Sequence, residues 1–149
     1  MSLVCQQWKR VEESSWRNIK KLDLTDRIYA HSHLHELPEE YRSLANISKV
    51  LKKCGRFLKE LSIGVPFRYN ILSVVQDHCK NLQKLVLDFK YYGIKFNDTF
   101  FSELKNLKSL ELYNVRQDLR DNFWSGTSKS LEELKVYGQH YDSIELNFT

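Results

Sequence analysis

The sequence predicts an α/β chain built as a solenoid, with a short parallel sheet on the concave side and helices on the convex side. Three observations carry that expectation: an apolar motif that recurs in phase, a near-constant interval between its copies, and helical periodicity in the segments between them. The motif is apolar-x-x-apolar-x-apolar. It reads Leu58, Leu61, Ile63; Leu82, Leu85, Leu87; Leu107, Leu110, Leu112; and Leu131, Leu134, Val136, with first positions 24, 25 and 24 residues apart. Another copy, Ile19, Leu22, Leu24, lies 39 residues before the next. Self-similarity at a fixed interval marks stacked units that share one core, because no unit buries its apolar face alone.

Each element follows from the spacing. In x-L-x-L-x the two apolar side chains fall on one face of a strand and their neighbours on the other. Strands are therefore expected near 22–24, 61–63, 85–87, 110–112 and 134–136. Leu44, Ile47, Leu51 and Cys54 repeat at helical spacing, as do Ile71, Val74, Val75, His78 and Cys79. Asn97 or Asp98 is placed to cap a helix carrying Phe100, Phe101 and Leu104, and Leu119, Phe123 and Trp124 mark a shorter one. Right-handed crossovers then make the sheet parallel. Residues Asp26 to Ser43, including HSHLHELPEEY, read as an extended loop. Tyr141, Ile144, Leu146 and Phe148 read either as a last capping strand or as the start of a further repeat.

The residues flanking each inward pair form columns on the other face of the sheet. One column is Asp23, Ser62, Val86, Glu111, Lys135; the next is Thr25, Gly64, Asp88, Tyr113, Tyr137; the preceding one is Lys21, Glu60, Lys84, Ser109, Glu133. Tyr113 and Tyr137 share a register, and Phe89 and Tyr141 are close in sequence. Aromatics ringed by charge have the composition of a protein-binding hot spot. Asp88, Glu111, Tyr113, Lys135 and Tyr137 are the candidate protein-binding residues. An ordinary sheet surface, where Tyr is favoured by β-propensity, is the plain alternative.

Composition narrows the function classes. The net charge is +4, but the charges are mixed in sign along the chain. The densest basic stretch, Lys49, Lys52, Lys53, Arg56 and Lys59, runs into Glu60 and reads as solvated surface, so no nucleic-acid partner is expected. No apolar run approaches the roughly 18 residues of a membrane span, and MSLVCQQWKR has no apolar signal core. The three cysteines, Cys5, Cys54 and Cys79, do not form a disulfide framework. A reducing compartment, cytoplasm or nucleus, is expected. The sequons at Asn46, Asn97 and Asn147 carry little weight without a secretory signal.

No catalytic residue, metal site or cofactor is expected. The sequence has no Gly-rich phosphate loop, G-x-S-x-G, H-E-x-x-H or C-x-x-C. The pairs Glu12-Glu13, Glu39-Glu40 and Glu132-Glu133 are sequence neighbours and read as solvated. His31, His33 and His35 share one side of an extended segment, which reads as a polar loop rather than a zinc or copper site. Cys54 and Cys79, 25 residues apart, read as small buried side chains where helix turns to strand.

The interval falls in the leucine-rich-repeat range of roughly 20–29 residues, and HCKNLQKLVL and KKCGRFLKELSI resemble the cysteine-containing class of that repeat. LVCQQWKRVEESSWRNIKKLDL, with Leu3, Val4, Cys5, Trp8, Val11, Ser15, Trp16 and the Leu22-Asp23-Leu24 strand, looks like the last helix of an F-box running into a first repeat. The chain thus resembles the F-box/leucine-rich-repeat family. The resemblance implies the substrate-recognition part of an SCF-type ubiquitin ligase, serving SCF-dependent protein degradation as a non-catalytic subunit. Repeats would hold a protein substrate on the concave face, and the F-box would dock on the Skp adaptor of a cullin–RING ligase. The upstream LP-x-E-[ILV] half of an F-box is not in the sequence. Residues 1–16 are accordingly expected to be either an F-box-like remnant helix, with Val4, Trp8 and Val11 on its adaptor side, or an N-terminal cap. Residues 17–149 are expected to be the solenoid of about five repeats. A repeat-only scaffold or inhibitor, or a fragment, with no adaptor binding is the alternative.

Overall fold

Alternation of apolar and polar residues within each motif copy produces strands, and the constant interval brings them into register. The structure, a computed structural model, describes residues 13–25, 42–64, 67, 70–88, 99–115, 129–138 and 143–147. Its elements in order are α1 (Glu13–Trp16), β1 (Lys21–Leu24), α2 (Leu44–Cys54), a 3₁₀ turn (Gly55–Phe57), β2 (Glu60–Gly64), α3 (Ile71–His78), β3 (Lys84–Asp88), α4 (Phe100–Glu103), β4 (Ser109–Val115), β5 (Glu133–Gly138) and β6 (Ser143–Asn147). The fold is mixed α/β. One sheet holds the strands in sequence order, β1 to β5 parallel and β6 antiparallel to β5. All five expected strands are present at the expected positions.

Register follows the motif. Leu22, Leu61, Leu85, Leu110 and Leu134 lie side by side, as do Leu24, Ile63, Leu87, Leu112 and Val136. The 39-residue interval between Lys21 and Glu60 does not disturb this pairing. Just before each strand one carbonyl accepts two amides of the next strand's approach. Lys20 O takes Lys59 and Glu60, Lys59 O takes Gln83 and Lys84, Gln83 O takes Lys108 and Ser109, and Lys108 O takes Glu132 and Glu133, all at 2.8–3.0 Å. The inward side chains and Leu58, Leu82, Leu107 and Leu131 pack with the apolar helix faces in one cluster. Burying a leucine or isoleucine in such a core contributes about 1.5–3 kcal/mol.

Helix α2 starts where Ser43, in extended conformation, accepts the Asn46 N–H on its side chain at 3.3 Å, satisfying one of the helix's unpaired first-turn donors. It buries Ile47, Leu51 and Cys54 and stops at Gly55. Gly55 is required by close approach: a Cβ there would meet His78 O at 2.7 Å and Cys79 Sγ at 3.0 Å. In α3 the buried residues are Ile71, Leu72 and Val75, with Cys79 just beyond; Val74 and His78, expected on the inner face, are half-buried. A further correction concerns α4. Its cap position is Thr99, whose own side chain makes no capping hydrogen bond, while Asn97 and Asp98, expected there, lie outside the described residues. Thr99 O opens the turn by accepting Glu103 N at 3.2 Å and Ser102 Oγ at 2.8 Å. Leu104 is the residue that ends this single turn, although it is fully buried.

β6 resolves the two readings of the last segment in favour of a strand. Gly138 and Ser143 are too close in sequence for the crossover that a parallel strand needs, so the chain returns antiparallel. Pairing runs from Tyr137↔Ser143 to Glu133↔Asn147 and covers the free edge of β5. The segments of the HSHLH loop, the expected helix at Leu119, Phe123 and Trp124, and Phe89, Tyr141 and Phe148 lie outside the described residues. So do Val4, Trp8 and Val11.

Candidate protein-binding face

The same alternation that buries the leucines sends their neighbours to the opposite face. The registers place Lys21, Glu60, Lys84, Ser109 and Glu133 in one row across the sheet, and Asp23, Ser62, Val86, Glu111 and Lys135 in the next. Gly64, Asp88, Tyr113 and Tyr137 make the third. Two of the three expected columns are therefore real rows of neighbours, and the third is one from Gly64 onward, since the β1–β2 pairing ends at Leu24 before Thr25.

Tyr113 and Tyr137 meet as expected from their shared register. Their rings stack with centroids 4.4 Å apart and planes 12° from parallel. Both side chains are half-buried, so the pair presents ring surface without being loose. The Tyr113 hydroxyl donates to Glu111 Oε2 at 3.2 Å. Lys84 Nζ lies 2.8 Å from Glu111 Oε1. Two donors thus hold both oxygens of one carboxylate beside the aromatic pair.

Two of the five candidate contact residues are not surface groups. Glu111 is 9% exposed and Asp88 only 6%, because neighbours on the polar face cover them. Asn114 Nδ2 donates to Asp88 Oδ1 at 2.7 Å. These carboxylates fix the architecture around the tyrosines, whereas Tyr113, Lys135 and Tyr137 retain partial exposure. Val86, also expected to face outward, is buried at 6% exposure.

Asn114 is a site residue that the motif reading passed over. It has φ 56°, the left-handed region, and sits where the β4–β5 register shifts between Tyr113 and Val115. Asn tolerates that conformation better than other side chains. The signal in the sequence was an Asn inside an otherwise strand-forming run, a residue type depleted in strands. Gly64 has a complementary constraint, since a Cβ there would meet Asp88 O at 2.7 Å.

At the other end of the face lies a depression of about 170 Å³ between Lys21, Asp23, Glu60, Ser62, Lys84 and Glu111. Asp23 Oδ1 accepts both the Thr25 amide at 2.9 Å and its hydroxyl at 2.6 Å, closing that corner. Lys21 pairs with Glu60 at 3.3 Å across β1 and β2. On β4 and β5, Ser109 Oγ donates to Glu133 Oε2 at 2.8 Å and Lys135 Nζ lies 3.1 Å from Glu133 Oε1. The Ser109 hydroxyl first, then Lys135, hold the Glu133 carboxyl below its ordinary range. Lys135 is correspondingly held above its own, chiefly by its hydrogen bond to Glu133.

Beneath the sheet, Cys54 and Cys79 are free thiols and fully buried. Burial pushes each up to about 12, with proximity to Cys54 adding to the effect on Cys79. Thiols held protonated are poor nucleophiles and ligands, as expected for small core side chains.

Fold and face together define a mixed α/β protein whose in-register parallel sheet displays a charged, tyrosine-bearing surface. No family model matches the chain, and no curated protein or solved structure matches it. Among the described residues no helix is long and apolar enough to cross a membrane.

Proposed function

We propose that this chain is an intracellular leucine-rich-repeat module that binds a partner protein on the polar face of its sheet, without catalysis. The observation that carries the reading is the Tyr113–Tyr137 stack, half-exposed and braced by Glu111, in a surface of alternating charges. Aromatic anchors of this kind dominate protein–protein affinity because they bury large area at small entropic cost. The resemblance of residues 3–24 to the end of an F-box supports a substrate-receptor role in an SCF-type ubiquitin ligase. The partner on the sheet face is then a protein marked for degradation.

Two measurements test this. Proximity crosslinking from a photoreactive residue at Lys135 in cells should yield defined adducts, and Tyr113→Ala with Tyr137→Ala should abolish them while the chain stays folded. Adducts that survive the double substitution sink the assignment of the face. Titration of the chain against purified Skp adaptor, with a complete F-box protein as control, addresses the ligase role. Submicromolar binding supports the receptor; no binding favours a repeat-only scaffold or inhibitor, a reading that the β6 closure of the sheet edge also suits.

A further inference from the structure

The turns that lead into β3, β4 and β5, together with the 3₁₀ turn before β2, repeat a second feature. Each carries one cation at the same phase: Arg56, Lys80, Lys105 and Lys129, all exposed. Neighbouring strands are about 4.8 Å apart, so four in-phase turns set these charges in a row roughly 14 Å long. Side chains stitch the turns together. Asn81 Nδ2 donates to Arg56 O and Ser130 Oγ to Leu107 O, both at 2.8 Å, and Asn106 Nδ2 reaches Lys80 O at 3.5 Å. The row stands on a fixed underlay rather than on separate loops.

Its charge is largely uncompensated. Lys80 pairs with Glu103 at 3.1 Å, but Arg56, Lys105 and Lys129 have no ion pair among the described residues. Near Arg56 the density rises. Arg56 lies 4.6 Å and Lys20 5.6 Å from the centre of the same Phe57 ring, and Lys53 lies 5.6 Å from that of Trp16. Neither Lys20 nor Arg56 has an ion pair among the described residues, so both remain open to an anionic ligand. The sheet face has the opposite balance, five carboxylates (Asp23, Glu60, Asp88, Glu111, Glu133) against three lysines (Lys21, Lys84, Lys135).

We propose that this turn edge is a second interaction surface, a row of cations that docks an extended, carboxylate-rich polypeptide segment. It stands independently of the sheet-face reading. A polypeptide suits it better than nucleic acid for two reasons. Single strands gain affinity by stacking bases on open aromatic faces, whereas here Phe57 already carries Lys20 and Arg56, and Trp16 is buried beneath Lys53. A row one cation wide also meets one line of anions, not the two backbones of a duplex.

The test is fluorescence anisotropy with a labelled glutamate-rich peptide of about ten residues, long enough when extended to span the row. The whole chain is titrated at low and at physiological salt. Binding that weakens steeply with salt is expected. Lys105→Glu with Lys129→Glu should raise Kd about ten-fold, and Lys20→Glu with Arg56→Glu at least as much. Lys21→Glu with Lys49→Glu, an equal change of net charge elsewhere, should raise it far less. Absence of binding at low salt, or equal weakening by the two kinds of variant, overturns the proposal. Tighter binding of a single-stranded oligonucleotide of matched charge overturns the peptide as ligand and makes the edge a nucleic-acid surface.

Discussion

Replacing Asn114 tests how the bulge beside the tyrosine stack is held, because two separable contributions meet in one side chain. The first is conformational. At φ 56° an alanine costs about 1–2 kcal/mol that glycine does not. The second is the hydrogen bond to the buried Asp88 carboxylate at 2.7 Å, and a bond to such a group contributes about 1.5–3 kcal/mol. Asn114 is half-buried, so water recovers part of that bond and the lower end of each range applies. Asn114→Ala should therefore cost about 2.5 kcal/mol, and Asn114→Gly about 1.5. For a chain of this size that corresponds to roughly 5–10 °C in Tm for the alanine variant. Urea denaturation of the wild type and both variants, with m-values compared, measures the two contributions separately. The reasoning fails if alanine is tolerated within about 0.5 kcal/mol, or if glycine proves worse than alanine.

Three further outcomes follow from particular contacts. Gly64→Ala should destabilise by about 1–3 kcal/mol, because its Cβ would lie 2.7 Å from Asp88 O in a backbone that cannot yield cheaply; unchanged urea stability would show that the strands separate freely. Cys54 and Cys79 are raised from 9.0 to about 12 in the folded chain, mainly by burial. Between those values the unfolded chain loses protons that the folded chain keeps, so their contribution is intact below pH 9 and is lost as pH climbs towards 12. Cys54→Ala with Cys79→Ala should flatten that fall in urea titrations, and a parallel pH profile would contradict the assignment. Ser109→Ala should raise the Glu133 carboxyl pKa, read by carboxyl-carbon NMR, since the Ser109 hydroxyl is the leading cause of its depression; no movement would place the cause elsewhere.

The strands were legible because two simple periods coincide in them. Alternation fixes which face Leu85 and Leu87 take, and a slip of one residue would expose both. The recurrence of Leu61, Leu85, Leu110 and Leu134 then fixes pairing without any knowledge of the connections. The same logic placed Tyr113 beside Tyr137. It failed at Asp88 and Glu111 because facing away from the core is not the same as facing water. Whether a polar-face residue is buried depends on its lateral neighbours, here Lys84, Tyr113 and Asn114. The start of α4, at Phe100 after Thr99, was less legible, because a single turn gives the spacing rules little to act on.

This distinction bears on which side chains can carry recognition. A repeat constrains core positions to be apolar in every copy, so Leu22, Leu61 and Leu85 say little about a ligand. Positions on the polar face and in the turns have no such constraint, and chemistry that recurs there needs another cause. Arg56, Lys80, Lys105 and Lys129 recur as cations although Lys105 and Lys129 support no described contact, while the position after each of the three lysines is polar and binds backbone, at Asn81, Asn106 and Ser130. Structure explains the second recurrence and leaves the first to solubility or to a ligand. Solubility requires charge but not one sign at one phase. It would be served equally by carboxylates, yet none of the four in-phase positions carries one. One sign kept at one phase is what a surface selective for anionic partners requires, and charge reversal confined to the turn row separates that explanation from solubility alone.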